Sequence, residues 1–231
     1  MKKIFFLTLL LISVFFSFYR VKPVAIYCYQ KNKETPESTT LVSNQTKEKS
    51  IFANEHVVGR LTSSIGIDTL IVQGNNNTYY LQHDLNGKET KEGQAFLDYR
   101  NKIDESYQLN IYGHHFKEHT GIFASLINYT DISFYKQNPY FYLETRKRKV
   151  TYLVYNVLGV FKDNNEHMKL TFSSGKAFLE HLNLMNQSSL YDTGVSVNEN
   201  DKILVLQTCY YDRKVGDYLL ILMKEVKSEI L

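Results

Sequence analysis

The chain of 231 residues carries only two cysteines, Cys28 and Cys209. That count excludes a disulfide-dense scaffold, and a bridge between residues so differently placed is not expected. Charge is nearly balanced, with 27 Lys and Arg against 24 Asp and Glu and a net of +3. So mild an excess gives no footprint for nucleic acid. There is no internal repeat and no low-complexity tract. Small residues are missing where the apolar run Ile4 to Tyr19 closes, and Phe18, Tyr19, Arg20 and Val21 stand there instead. A signal peptidase needs small residues there.

That run follows Lys2 and Lys3, and the apolar character resumes from Val21 to Tyr29. Residues 1–29 therefore read as an uncleaved, single-pass membrane anchor, with the basic end inside and the bulk of the chain outside the cell. A cleaved signal peptide is the rival reading. A lipoprotein role for Cys28 fits poorly, because bulky Tyr27 precedes it. Residues 30–50 are polar and charged with little to bury, as in a stalk. Residues 51–231 are long enough for one domain with a substantial core.

In that domain the apolar residues at 52, 57, 58 and 61 suggest a short amphipathic helix over 51–61. Beyond it, short runs rich in β-branched and aromatic residues predict strands at 67–73, 79–81, 94–99, 109–113, 141–144, 150–161 and 203–208. A further apolar run, Tyr218 to Met223, closes the domain. Loops bearing Gly, Asn and Asp separate these runs, and Arg146-Lys-Arg-Lys149 reads as a hairpin turn with solvated cations. Two helices interrupt the strands. One spans 122–129 and resumes at 133–138. The other spans 174–186, with Ser173 or Ser174 as cap and Phe178, Leu179, Leu182 and Met185 on one face. The sum is a mainly β, mostly antiparallel barrel with helical insertions.

The candidate chemistry centres on Cys209, at the end of Ile203-Leu-Val-Leu-Gln-Thr-Cys209 and before the polar loop Tyr210 to Asp217. A cysteine reacts as its thiolate and needs a base or cation nearby. His114 is the candidate base, because Ile111-Tyr-Gly-His114 is also a strand ending at a polar loop, and Gly113 permits a sharp turn. By itself, an isolated cysteine is more often a small buried hydrophobe. His114-His-Phe-Lys-Glu-His119 raises the question of a metal site, since histidines four apart share a helix face. The segment follows a strand end and precedes a glycine, so no helix and no metal are expected. His56, His83, His167 and His181 are scattered and read as surface or satisfied core residues.

Taken together, the motifs resemble those of the sortases, and among them class B. Ile67-Asp-Thr-Leu-Ile-Val-Gln73 with Asn77-Thr-Tyr-Tyr-Leu81 is similar to a family strand and the tyrosine pair after it. Gly93-Gln-Ala-Phe-Leu-Asp-Tyr-Arg-Asn101 is similar to the next strand. Tyr112-Gly-His114, Phe123-Ala-Ser-Leu126, Phe134-Tyr135, Tyr140-Phe-Tyr-Leu143 and Leu206-Gln-Thr-Cys209 follow in the family's order. The helix over 174–186 falls where class B members carry an extra one. The likeness covers about residues 55–226 and lies in order and spacing more than in any single motif.

The resemblance implies a closed sortase-type β-barrel with helical insertions and an N-terminal helix, preceded by the membrane anchor. It implies a cysteine transpeptidase that cuts a Leu-Pro-x-Thr-Gly-like sorting signal after the threonine. Cys209 would form the thioacyl intermediate and His114 would exchange protons with the leaving and incoming amines. The partners implied are surface or pilin proteins bearing a C-terminal sorting signal, and an amine acceptor on a pilin lysine or a peptidoglycan cross-bridge. No cofactor or metal is implied. The family also places an arginine at the start of the strand after the cysteine loop, where this chain has Asp217. Arg213 in the shortened loop is the candidate for that role. A silent membrane-tethered binding module, or a hydrolase of the same peptides, is the alternative function. Asp217 and the aromatic-rich surface favour a specialised substrate, with pilus assembly preferred.

Overall fold

The computed structural model describes residues 51–212 and 214–231. The expected anchor and stalk lie outside the described residues. Among the described residues, no helix is long and apolar enough to cross a membrane. Eight strands form a closed barrel. They are β1 (Val57–Ser63), β2 (Asp68–Val72), β3 (Phe96–Leu97), β4 (Gln108–Tyr112), β5 (Tyr140–Thr145), β6 (Arg148–Val160), β7 (Ile203–Cys209) and β8 (Tyr218–Ile230). Around the barrel they run β1-β2-β3-β4-β7-β8-β6-β5. The pairs β2–β3 and β4–β7 are parallel, and the others are antiparallel.

The expected helix over 51–61 is corrected by β1. Val57, Gly59 and Leu61 are buried while their neighbours are half-buried, a period of two that the sparse apolar spacing had hidden. The strand expected at 79–81 is a single 3-10 turn, Tyr79–Leu81. Asn76 forces that turn, its Oδ1 accepting from the backbone N–H groups of Thr78 and Tyr79, as Asn side chains do in turns. At 94–99 only Phe96 and Leu97 pair as strand. The 122–129 helix is a 3-10 helix, Ala124–Thr130. Asp131 then caps α1 (Ile132–Gln137) by accepting from Ser133 N–H at 2.7 Å.

β7 is buried on both faces, and its two sets of side chains enter different cores. Leu204 and Leu206 project into the barrel with Leu61, Ile111, Phe141, Val154 and Ile221. Ile203 and Val205 face outward with Leu158, Val160, Leu220 and Leu222. Covering that outer face is α2 (Gly175–Asn186), which contributes Phe178, Leu182 and Met185. Ser174 caps it, its Oγ accepting from Ala177 N–H. The long connection from β6 to β7 thus forms a second layer on one side of the barrel. β8 continues to Ile230, past the apolar run that ends at Met223, by pairing its charged end with β6.

Not every histidine on this connection fits the expected surface or satisfied-core placement. His181 is buried on α2 beside Phe172, and neither ring nitrogen has a partner. Burial, with Lys169 nearby, pushes its pKa down to about 4.

Candidate active site

β4 and β7 carry the two candidate chemical groups to one edge of the barrel. Their parallel register sets Tyr112 opposite Gln207, and the pairing continues as Gly113 N–H donates to Gln207 O and Thr208 Oγ1 donates to Gly113 O. His114 and Cys209 each lie two residues beyond the Tyr112–Gln207 pair. Alternation sets their faces as well. On β4, Leu109 and Ile111 enter the barrel, while Asn110 and Tyr112 face the β6–β7 connection, bonding His167 O and the Met168 sulfur. On β7, Ile203 and Val205 face the same connection. Continuing both alternations puts His114 and Cys209 on this covered side, at the same end of neighbouring strands.

Cys209 is half-buried and carries a free thiol. Burial pushes that thiol above its usual pKa, and the positive charge of Lys162 pulls it the other way. The His114 ring is half-buried and stacks on Phe116, with centroids 5.0 Å apart. Its Nε2 lies 2.8 Å from Leu81 O. A carbonyl only accepts, so Nε2 bears the proton and Nδ1 is the ring's open position. No hydrogen bond joins the His114 ring to Cys209 among the described residues, so the two are aligned through their strands.

His115 makes the direct link. Its buried ring donates from Nδ1 to the carbonyl oxygen of Cys209 at 2.9 Å. Its Nε2 lies 3.4 Å from His119 Nδ1, and its own carbonyl accepts from the Tyr211 hydroxyl at 3.0 Å. No feature of the sequence separated this role from that of its neighbour. Among the described residues, no group of three or more His, Cys, Asp or Glu is placed to hold a metal ion.

Gly113 also proves to be needed for a reason other than a turn. A Cβ there would stand 2.5 Å from the Phe123 ring, so the glycine lets this aromatic pack beneath the histidine loop. The loop closes behind it, with Phe123 N–H donating to His114 O. Gly121, at φ 109°, presses against the same backbone.

A family model described as the sortase domain matches residues 63–224. The chain belongs to the sortase family. Sortase B of Listeria monocytogenes is 32% identical over 161 residues, covering 68% of this chain and 63% of that protein. Sortase B of Staphylococcus aureus is 25% identical over 158 residues, covering 68% and 64%. The match therefore spans a little under two thirds of the length of these relatives. A crystal structure of a mutant form of Clostridium perfringens sortase B superposes with a TM-score of 0.74 at 26% identity, covering 80% of this chain and 89% of that one. The subgroup is accordingly class B, and the closed barrel is the sortase fold.

Arg213, the sequence candidate for the arginine role, lies outside the described residues. Asp217, at the position where that arginine was expected, is tied into backbone. Its carboxylate accepts from Lys162 N–H at 3.0 Å, and its carbonyl accepts from Tyr210 N–H at 2.8 Å. A cavity of about 820 Å³ lies elsewhere, lined by Asn54, His56, Gln73, Tyr79, Tyr80 and Asn86 among others. Two of its lining residues, Tyr79 and Tyr80, belong to the turn whose last residue, Leu81, bonds the His114 ring.

Proposed function

We propose that the chain is a membrane-anchored cysteine transpeptidase that cleaves a Leu-Pro-x-Thr-Gly-like sorting signal after its threonine. The acyl fragment passes to an amine, on a peptidoglycan cross-bridge or a pilin lysine. The observation that carries this reading is the parallel pairing of β4 with β7, which sets His114 and Cys209 at one end of adjacent strands.

In the first half-reaction the Cys209 thiolate attacks the threonine carbonyl. The sulfur–carbon bond forms, the carbon–nitrogen bond breaks, and His114, protonated at its open Nδ1, gives that proton to the departing amine. In the second half-reaction the incoming amine attacks the thioester, its proton passes to His114, and the thiolate leaves. Backbone N–H groups around Cys209 are the candidate donors to the oxyanion. Arg213 is the sequence candidate for a cation beside them.

A free, only partly buried thiol at a strand end speaks against a silent binding module, which has no use for a nucleophile there. Incubating the full chain with sorting-signal peptides and either triglycine or a lysine amine, and weighing the products, tests the function. The expected result is an amine-linked product with the unchanged chain and none with Cys209→Ala or His114→Ala. A product from Cys209→Ala sinks the reading. A water-cleaved peptide in the presence of amine makes the chain a hydrolase, and the mass of the amine adduct identifies the acceptor class.

A further inference from the structure

β6 and β7 both pair with β8, and Val160 and Cys209 both lie opposite Tyr218. The three residues form a row across the sheet, so the backbones at Val160 and Cys209 are two strand spacings, roughly 10 Å, apart. Both strands leave the sheet at this end, and one residue, Asp217, holds the two exits together. Asp217 N–H donates to Val160 O at 2.9 Å, its carboxylate takes Lys162 N–H at 3.0 Å, and its carbonyl takes the N–H of Tyr210, the residue after Cys209.

Close backbone packing tightens this arrangement. A Cβ on Gly216 would stand 2.6 Å from both the N and the O of Val160, and one on Gly159 would collide with the carbonyl of Val215. Lys162 therefore leaves β6 from a fixed backbone beside the cysteine loop. Its side chain is exposed and forms no ion pair with any described residue. Its charge acts on the Cys209 thiol against the effect of burial.

Around the same thiol, His114 carries the proton of the proposed reaction, Lys214 is an exposed residue of the loop, and the other described polar and titratable groups are engaged elsewhere or bear no positive charge. The His115 ring is bonded to the Cys209 carbonyl and to His119. Tyr211 is bonded to His115 O, and Tyr218 pairs with Cys209 across the strands. The Asp217 carboxylate is engaged by Lys162 N–H, and Asp212 takes the N–H of Lys214 within the loop.

We propose that Lys162 is the electrostatic partner of the Cys209 thiolate. From the exit of β6 it supplies the positive charge for which the cysteine loop offers an acid, Asp217, where the family resemblance expects an arginine. The proposal deepens the reading of Cys209 as nucleophile and rests on it. A cation there stabilises the thiolate before attack, and again when the amine displaces it from the thioester. Asp217 becomes the residue that fixes the lysine's backbone.

The test follows alkylation of Cys209 by iodoacetamide in the full chain from about pH 6 to about pH 10, the range over which thiols ionise. Peptide mass mapping separates Cys209 from Cys28. Lys162→Met is expected to raise the midpoint of the Cys209 profile by about half a unit, so that its rate near neutrality falls roughly threefold. Lys162→Arg is expected to restore the profile, and Arg213→Ala to shift it less than Lys162→Met does. Because Lys162 is exposed, its variants are expected to melt with the unchanged chain. In guanidinium, where the row is dismantled, all profiles are expected to coincide. An unchanged midpoint in Lys162→Met, or a shift produced by Arg213→Ala alone, overturns the proposal and leaves the nucleophile standing. A Cys209 unreactive at every pH in the unchanged chain overturns both.

Discussion

His115 donates from Nδ1 to the carbonyl oxygen of Cys209 at 2.9 Å, so the second histidine of the pair holds the backbone of the residue whose side chain is to react. Removing that donor leaves a carbonyl without its partner at the strand end, at a cost of about 1–3 kcal/mol. His115→Ala is therefore expected to lower the melting temperature by several degrees and to reduce kcat more than it raises KM. His115→Asn, which keeps a donor, is expected to recover part of both. Melting curves and steady-state rates on the same preparations check this, and a fully active, equally stable His115→Ala chain refutes it.

Asp98 anchors the other side of β4. Its carboxylate is fully buried and accepts from Arg100, from Asn77 and from the Tyr112 hydroxyl, two residues before His114. Burial alone raises its pKa, but these hydrogen bonds, led by Arg100, outweigh that and hold it below the ordinary carboxylate value. Asp98→Ala leaves the Tyr112 hydroxyl and the Asn77 amide without their acceptor, while the exposed Arg100 turns to water, and is expected to cost about 2–3 kcal/mol in chemical denaturation. A loss under about 1 kcal/mol would show the network to be dispensable.

His181 gives the fold a liability in mild acid. Its folded pKa, about 4, lies below its ordinary value of 6.5. The unfolded chain therefore binds the proton first, and stability falls as pH drops from about 6.5 towards 4, by up to about 3 kcal/mol. Asp98 works in the same direction at lower pH, since its stabilisation is present above the ordinary carboxylate pKa and is lost as pH falls through its depressed folded value. His181→Leu is expected to flatten the first window and leave the second. Denaturant midpoints between pH 4 and pH 7 decide it, and an equally steep fall in the variant counts against this assignment.

Gly216 meets Val160 backbone to backbone, so Gly216→Ala must push apart the exits of β6 and β8. We expect a destabilisation of about 1–3 kcal/mol together with slower transpeptidation. Gly66, where nothing lies within 4 Å of an added Cβ, serves as the control for a glycine in a left-handed turn, and Gly66→Ala is expected to lose stability without losing rate per folded molecule.

The positions of β4 and β7 were readable because an apolar run gives way to a polar loop at Gly113 and again at Cys209, and the order of motifs pointed to the barrel. The helix over 174–186 was readable from its cap and its four-residue spacing. β1 was misread because Gly59 occupies a buried position without adding an apolar side chain to the pattern. Tyr79–Leu81 was misread because its aromatic residues favour a strand, whereas Asn76 upstream imposes a turn. The contacts of His115, Asp217 and Lys162 were not readable at all. Each depends on register between strands far apart in sequence, and nothing within a local window encodes which backbone a side chain will meet.

The β4–β7 pairing joins segments 95 residues apart, and this has a kinetic consequence. Closing so long a loop costs entropy before its contacts return any stability. The parallel ladder between these strands is thus expected among the last parts of the barrel to form, and β7 and β8 are also the last strands to be synthesised. A chain still emerging, or only partly folded, holds its histidine and its cysteine on separate elements. Reactivity is then a property of the completed barrel alone, and the nucleophile stays idle until the fold that orients it has closed.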